Sequence, residues 1–268
     1  MATDQIREMT NERRARAEEL AFFDANVWLG RAEGFPLAPE LTARQLITAL
    51  NDRFVKGGLL SHWRGKTISA QDGNRALADA MAEVAGAFYA IWTGLPLYPA
   101  EAGPVPGTGD LPQWVRGVRI FPVTHHFPLE SWAAGPLCDW LVERRLPLFI
   151  WHTEVDWDQL YRLAKAFPKL RVVVESQPQK ILYQTRPLFA LMRDCPGVSL
   201  EISNFVGPGF VEYAVGEFGA ERLLFGSFLP ISDPLVPMGM ILDSGLPADS
   251  QRLIAVGNLR RLIAEVRS

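Results

Sequence analysis

The order of β-rich and helical runs is the feature that most limits how this 268-residue chain can fold. Short runs rich in leucine, β-branched and aromatic residues alternate with amphipathic helical segments, which is the pattern of βα units around a parallel sheet. Several runs are apolar throughout, as strands buried on both faces should be. Eight such runs are found: AFFDANVWL from Ala21, GGLLSHW from Gly57, GAFYAIW from Gly86, GVRIFP from Gly117, LPLFIWHT from Leu146, RVVVES from Arg171, VSLEISNF from Val198 and RLLFGSF from Arg222.

Eight βα units in a chain close to the typical length of about 250 residues predict an α/β fold of the (β/α)8 TIM-barrel type. A doubly wound open sheet is the alternative, and the barrel is favoured because no glycine-rich phosphate turn follows the first strand. We expect one domain over residues 1–268, with a helical extension over 1–20 and a C-terminal helix. The Pro/Gly-rich segment Leu97–Pro112 joins the third and fourth strands on the strand-exit side, which makes it a candidate lid.

Composition excludes several classes of protein. The chain is 48% hydrophobic and 21% charged, with a net charge of -3, so nothing draws it to nucleic acid or to an anionic membrane. No apolar run approaches the roughly 18 residues of a spanning helix, and the charged N terminus lacks the apolar stretch of a secretory signal. Cys138 and Cys195 are expected to be buried thiols in a reducing cytoplasm. Small-molecule or protein partners are therefore expected, and a homo-oligomer is left open.

The order of the motifs resembles the amidohydrolase superfamily, particularly its small TIM barrels of the amidohydrolase-2 type, which include metal-dependent hydrolases, lactonases and nonoxidative decarboxylases. FFDANVWLG is similar to the opening strand, which in the family ends in a His-x-His pair. GVRIFP is similar to the fourth strand, while LPLFIWHT and RVVVES are similar to the fifth and sixth, each with a metal-binding histidine. LLFGSFLPISDP is similar to the eighth, where an aspartate acts as general acid/base, and AVGNLRRLI is similar to the closing helix. The resemblance extends from Phe22 to the C-terminal segment.

Most of the catalytic positions that the resemblance implies carry other residues. Asn26 and Trp28 stand at the first two histidines, Ser176 at the sixth-strand histidine and Phe228 at the aspartate, whereas His152 matches. Catalytic zinc needs about three protein ligands, and the family mechanism also needs a base for the metal-bound water. We therefore expect no metal and no cofactor, and we interpret Phe228 as an apolar plug.

Polar residues near the strand exits are the catalytic candidates, with His152, Arg119 and Glu154 as the predicted set. All four histidines, the others being His62, His125 and His126, fall at or just after a predicted strand exit. Arg119 stands where some branches of the family have a lysine. A buried arginine must be paired, so Arg119 is expected to hold a substrate anion or an acid such as Glu154, Glu175 or Glu201, the structural pairing being favoured.

Candidate substrate-binding residues come from the same end of the predicted barrel. Strand parity groups Ser176 with Val172 and Val174 on the inner face and turns Glu175 towards a helix. Asn26 and Ser176 keep hydrogen-bonding capacity for a neutral polar group. Large aromatics at the strand ends either fill the pocket or stack on a ligand, for which a small carboxylate on a planar body is expected. This aromatic set comprises Trp28, Trp63, Trp92, Trp151 and Phe228.

Three functional hypotheses follow, and each predicts a different state of the strand-exit pocket. A metal-independent hydrolase, lactonase or decarboxylase requires an open pocket. A non-catalytic barrel that binds a ligand or a partner subunit requires that Trp28 and Phe228 close it. An enzyme with a relocated metal requires that His152 be joined by Glu154, His62 or His125.

Overall fold

The strands of the protein form one closed parallel barrel. The structure, a computed structural model, describes residues 2–84, 86–96 and 111–267, with side chains from residue 10 onward. The strands pair in chain order and all neighbours are parallel. They are β1 Phe22–Leu29, β2 Val55–His62, β3 Ala87–Thr93, β4 Val115–Ile120, β5 Leu148–Trp151, β6 Val172–Glu175, β7 Val198–Glu201 and β8 Leu223–Leu224.

The barrel closes between its first and last strands. Val27 forms a parallel bridge with Leu229, and the Phe228 amide donates to the Asn26 carbonyl at 2.8 Å. The predicted (β/α)8 barrel is therefore confirmed. β8 itself is shorter than the predicted run, and the chain from Phe225 to Leu229 continues beside β1 through these hydrogen bonds.

Helices follow the strands and cover the outside of the barrel, as the alternating pattern predicts. None of the helices in the described ranges combines the length and the apolar character that a membrane crossing requires. The α-helices of the described ranges are α1 Ala2–Leu20, α2 Ala43–Asn51, α3 Arg64–Thr67, α4 Ala70–Met81, α5 Ser131–Arg144, α6 Trp157–Ala166, α7 Thr185–Asp194, α8 Phe210–Phe218, α9 Leu235–Leu242, α10 Ala248–Arg252 and α11 Asn258–Ala264. The proposed lid lies outside the described residues except for its last two, Leu111 and Pro112.

Local sequence signals account for the helix ends. The Asp156 side chain accepts a hydrogen bond from the Gln159 amide at 3.0 Å, so the predicted cap of α6 is confirmed. The C-terminal segment differs from the single predicted helix, because a π-helical turn over Leu253–Gly257 separates α10 from α11. Asn258, the first residue of α11, donates to the carbonyls of Ala220 and Leu223 at 2.7 and 2.8 Å.

Two cores lie on opposite faces of the barrel wall. Val172 and Val174 of β6 belong to the outer core between strands and helices, whereas Val173 points into the barrel. The inner core is closed at the strand-entry side by Leu259 and Ile263 of α11. Most residues on both faces of the strands are therefore buried, which explains why several strands read as continuous apolar runs. The inner core consists of Phe23, Ala25, Leu59, Ile91, Phe149, Val173, Leu224, Leu259 and Ile263.

Candidate functional site at the strand exits

Five large aromatic side chains occupy the strand-exit end of the barrel, and we call them the aromatic plug. They come from five different places on the wall, which converge because the carboxyl ends of all strands meet there. None is more than 2% exposed to solvent. The plug consists of Trp28 in β1, Trp63 after β2, Phe121 after β4, Trp151 at the end of β5 and Phe228 after β8.

The rings of the plug are in direct contact with one another. The ring centroids of Trp28 lie 4.7 Å from Trp63 and 5.2 Å from Trp151, and Phe228 packs edge-on against Trp151 at 5.8 Å. These separations fall in the range of about 4.5–7 Å that aromatic pairs prefer. Phe35 from the loop after β1 adds a further edge contact to Phe228 at 5.8 Å. The volume between the strand ends is therefore filled by packed side chains.

Phe228 also has an unusual backbone conformation. Its φ of 66° lies in the left-handed region, which phenylalanine rarely adopts. The conformation is held by the amide hydrogen bond to Asn26 and by the Ile231 amide, which donates to the Phe228 carbonyl at 2.9 Å. Phe228 therefore combines a fully buried ring with a strained backbone conformation.

A lysine covers the plug from the solvent side. The Lys66 ammonium lies 5.4 Å from the ring centroids of both Phe121 and Trp151, within reach of a cation–π interaction. Its partner Glu154 lies 3.1 Å away. Glu154 also accepts hydrogen bonds from the Thr124 amide at 2.8 Å and the Thr124 hydroxyl at 2.6 Å. The predicted catalytic residue Glu154 is therefore occupied by contacts within the protein.

Arg119 lies beneath the plug, inside the barrel. Its guanidinium donates to both carboxylate oxygens of Glu175, at 2.8 and 2.5 Å, and a third donor contacts the Ser61 hydroxyl. The guanidinium carbon is 4.4 Å from the Trp28 ring centroid. Arg119 and Glu175 are buried, with side-chain exposures of 1% and 0%. The arginine is thus in a two-point ion pair with an internal acid.

The position of Glu175 corrects the parity prediction for β6. Glu175 points into the barrel with Val173, while Val172 and Val174 face the helices. The prediction was wrong because a strand with two apolar faces carries no alternation by which its inner face could be recognised. Ser176 instead accepts a hydrogen bond from the Asn204 amide at 2.7 Å, in the neighbouring exit loop.

Trp92 also differs from its predicted place. Its ring packs edge-on against Trp114 at 5.8 Å, in the layer between strands and helices. The neighbouring Ile91 takes the inward position in β3. Trp92 is therefore not part of the aromatic plug, although its place near a strand end had grouped it with Trp28 and Trp151.

Three of the histidines make separate contacts with the backbone of the protein. His152 Nδ1 lies 3.2 Å from the Glu175 carbonyl oxygen, and burial lowers its pKa. His62 Nδ1 accepts from the Arg64 amide at 3.2 Å, and burial lowers the His62 pKa to about 4. His125 Nε2 lies 3.1 Å from the Lys66 carbonyl. Among residues 2–84, 86–96 and 111–267, no group of three histidine, cysteine or acidic side chains could hold a metal ion.

Two further acids in the barrel wall are buried, and only Glu201 was among the predicted partners. Glu201 accepts from the Ser203 amide at 2.6 Å and from the Asn26 side chain at 3.4 Å. Asp24 accepts from the amides of Asn26 and Ser227, both at 2.9 Å. Burial raises the pKa of Asp24 to about 7, and burial together with the nearby Glu175 charge raises the pKa of Glu201 to about 8.

These raised pKa values predict that stability falls as pH rises. The unfolded acids ionise near pH 4, whereas the folded ones keep their protons up to pH 7 or 8. The contribution is therefore fully present below about pH 4 and is lost between about pH 4 and 8. We expect urea denaturation to give an unfolding free energy on the order of 4 kcal/mol lower at about pH 8.5 than at about pH 6. The double variant Asp24→Asn/Glu201→Gln should flatten this profile, and an unchanged profile would contradict the assignment.

Comparison with known proteins agrees with this fold. The Amidohydrolase family profile matches residues 113–263, and the comparison with curated proteins finds no match. Amidohydrolase 2 from Bifidobacterium longum subsp. infantis superposes with a TM-score of 0.68 at 17% identity, covering 91% of this chain and 98% of that one. The 5-carboxyvanillate decarboxylase LigW from Sphingomonas paucimobilis gives 0.69 at 13% identity, covering 91% and 99%.

A third structure, 2,6-dihydroxybenzoate decarboxylase from Rhizobium, has a TM-score of 0.66 at 12% identity and covers 91% of this chain and 98% of that chain. At these identities the superpositions show a shared fold alone. The family profile covers more than half of the chain and includes β4 to β8 and most of the C-terminal helical segment. The chain therefore belongs to the amidohydrolase family.

Proposed function

We propose that this member of the amidohydrolase family is a non-catalytic barrel that acts by binding a partner protein. The observation that supports the proposal is the aromatic plug. Active sites of TIM barrels lie at the carboxyl ends of the strands, and here that space holds five rings of which none is more than 2% exposed. A substrate would have to displace packed aromatic side chains to reach the barrel interior.

The residues at the positions of the family's metal ligands do not suit a metal. Trp28 Nε1 donates to the Asn26 amide oxygen at 2.6 Å, so the one ligating atom of Asn26 is already engaged. Trp28 and Phe228 offer no ligand atom of their own, and Ser176 accepts from the Asn204 amide. The donor set falls short of the three nitrogen, oxygen or sulfur ligands that catalytic zinc requires.

The alternative of a carboxylate-binding enzyme has little support from Arg119. Glu175 takes two of its donors, Ser61 takes a third, and Asn26 Oδ1 lies 3.4 Å from Nη2. A substrate carboxylate would need to displace Glu175 and leave that acid unpaired in the barrel, which is strongly unfavourable.

An activity assay tests the proposal. The purified protein, supplied with zinc or manganese, should release no carbon dioxide from 2,6-dihydroxybenzoate or 5-carboxyvanillate above a protein-free blank. Phe228→Asp should also be inactive, because one acid does not restore the missing ligands. Turnover by the unaltered protein that disappears in His152→Ala would overturn the proposal and favour the enzymatic hypothesis.

A metal analysis gives a second, independent prediction. The purified protein should contain zinc, manganese or iron well below a stoichiometric amount, because Asn26, Trp28, Ser176 and Phe228 replace the family ligands. A chelator should leave the melting temperature unchanged, since metal that binds only the folded state would stabilise it. Stoichiometric metal by elemental analysis, with a lower melting temperature after chelation, would favour a relocated site near His152.

A further inference from the structure

Four of the twelve exposed large apolar side chains in the described chain lie after two neighbouring strands, β6 and β7. Tyr183, after β6, is 85% exposed, and Tyr213, after β7, is 52% exposed. Val206 and Leu182 in the same two connections are 44% and 38% exposed. Single exposed apolar residues need no explanation, but a group of them around one concave surface indicates an interaction site.

A groove of about 380 Å3 lies between these connections, and we call it the rim groove. Polar atoms form only a small part of the groove surface, because most of the lining residues are aromatic or lack a polar side chain. The lining residues are Thr185, Phe189, Pro208, Gly209, Phe210 and Tyr213. It is separate from the aromatic plug, with which it shares no residue.

The aromatic wall of the rim groove is anchored in the core. Phe189 stacks on Tyr213 with the ring centroids 5.6 Å apart and an interplanar angle of 26°. Behind it, Phe189 packs edge-on against Phe218 at 5.3 Å and against Phe205 at 6.1 Å. Phe205 is only 1% exposed. A wall fixed in this way is ordered before binding, which lowers the entropic cost of association.

Two cations flank Thr185 of the rim groove in the sequence. Lys180 and Arg186 are exposed, and within the described chain neither forms an ion pair. Of the acids in α8, Glu217 pairs with Arg193 at 3.0 Å. Glu212 accepts from the Gly245 amide at 3.3 Å and has no cationic partner in the described chain, which leaves two unpaired cations against one unpaired acid. Such an arrangement favours a partner with negative charge.

We infer that the rim groove binds an acidic segment of a partner protein that carries a large apolar side chain. The apolar side chain lies against Phe189, Phe210 and Tyr213, and the acidic residues face Lys180 and Arg186. Tyrosine is one of the residue types enriched among the residues that contribute most to binding energy. This inference rests on the proposed function and names the kind of partner that it requires.

The probe is a peptide selected from a randomised display library against the full-length protein, then synthesised with a fluorescent label. We expect the selected sequences to be enriched in aspartate, glutamate and large apolar residues. Their affinity, measured by fluorescence anisotropy, should fall as salt rises, because the charged contacts are exposed.

Variants locate the site and have matched controls. Tyr213→Ser should weaken binding by at least about tenfold, and Lys180→Glu/Arg186→Glu should weaken it by a similar factor. Trp132→Ser removes another aromatic residue, 74% exposed, and Lys169→Glu reverses another exposed cation that forms no ion pair in the described chain; neither should change the affinity. Melting curves confirm that each variant is folded.

Three outcomes would overturn the inference. They are selected peptides without acidic enrichment, equal affinity for Tyr213→Ser and the unaltered protein, or a homodimer whose formation is abolished by Tyr213→Ser. Failure here is distinct from failure of the proposed function. Turnover in the decarboxylase assay would refute a non-catalytic barrel whatever the peptides bind, whereas a rim groove that binds nothing leaves the aromatic plug in place.

Discussion

Replacing Arg119 with methionine is expected to lower the free energy of unfolding by about 3–5 kcal/mol, because the change leaves the buried Glu175 carboxylate without its partner. Burial already raises the Glu175 pKa even beside Arg119. Without the arginine, Glu175 must take up a proton to remain in the barrel, so the loss should be larger at high pH than at low pH. Urea denaturation at several pH values measures both effects.

Two matched variants separate the ion pair from simple loss of volume. Arg119→Lys keeps the charge but loses the planar two-point contact, so its effect should be intermediate. Arg119→Met/Glu175→Leu removes both charges and should recover much of the lost stability. An Arg119→Met protein as stable as the unaltered one would show that the pair is not structural and would reopen the ligand-binding interpretation.

Replacing Phe228 with alanine is expected to cost about 3–5 kcal/mol of stability through the cavity that it leaves. The ring is fully buried and packs against both Trp28 and Trp151. The backbone conformation does not offset this loss, because a φ of 66° is as unfavourable for alanine as for phenylalanine. Chemical denaturation gives the difference directly.

A conservative variant and a surface variant are the controls for this result. Phe228→Leu keeps most of the volume and should cost much less. Leu37→Ala removes an apolar side chain that is 97% exposed and should have almost no effect. A loss below about 1 kcal/mol for Phe228→Ala would show that the ring is not part of a packed plug.

The barrel could be predicted from the sequence because each strand is a short apolar run between amphipathic helices. The same property concealed which residues face inward. In β6 and β3 both faces are apolar, so parity could be assigned only from the packing, and Glu175 and Trp92 were placed on the wrong face. When both faces of a strand are apolar, its sequence does not show which face points into the barrel.

The candidate site could be predicted only in part. Trp28 and Phe228 stand where the family has catalytic residues, which suggested that they fill the barrel. The contacts around them, however, join distant parts of the chain. Arg119 and Glu175 are 56 residues apart, and Lys66 reaches Glu154 from the short helix α3. No local spacing connects such residues, because the closed barrel alone brings them together.

The most direct test of a closed, non-catalytic barrel is a crystal structure grown with zinc and 2,6-dihydroxybenzoate. We predict that Trp28, Trp63, Phe121, Trp151 and Phe228 remain in mutual contact, with ring centroids near the 4.7 to 6.4 Å found here, and that neither zinc nor ligand enters between them. Zinc or the carboxylate bound among Asn26, His152 and Phe228, with the rings moved apart, would contradict the account.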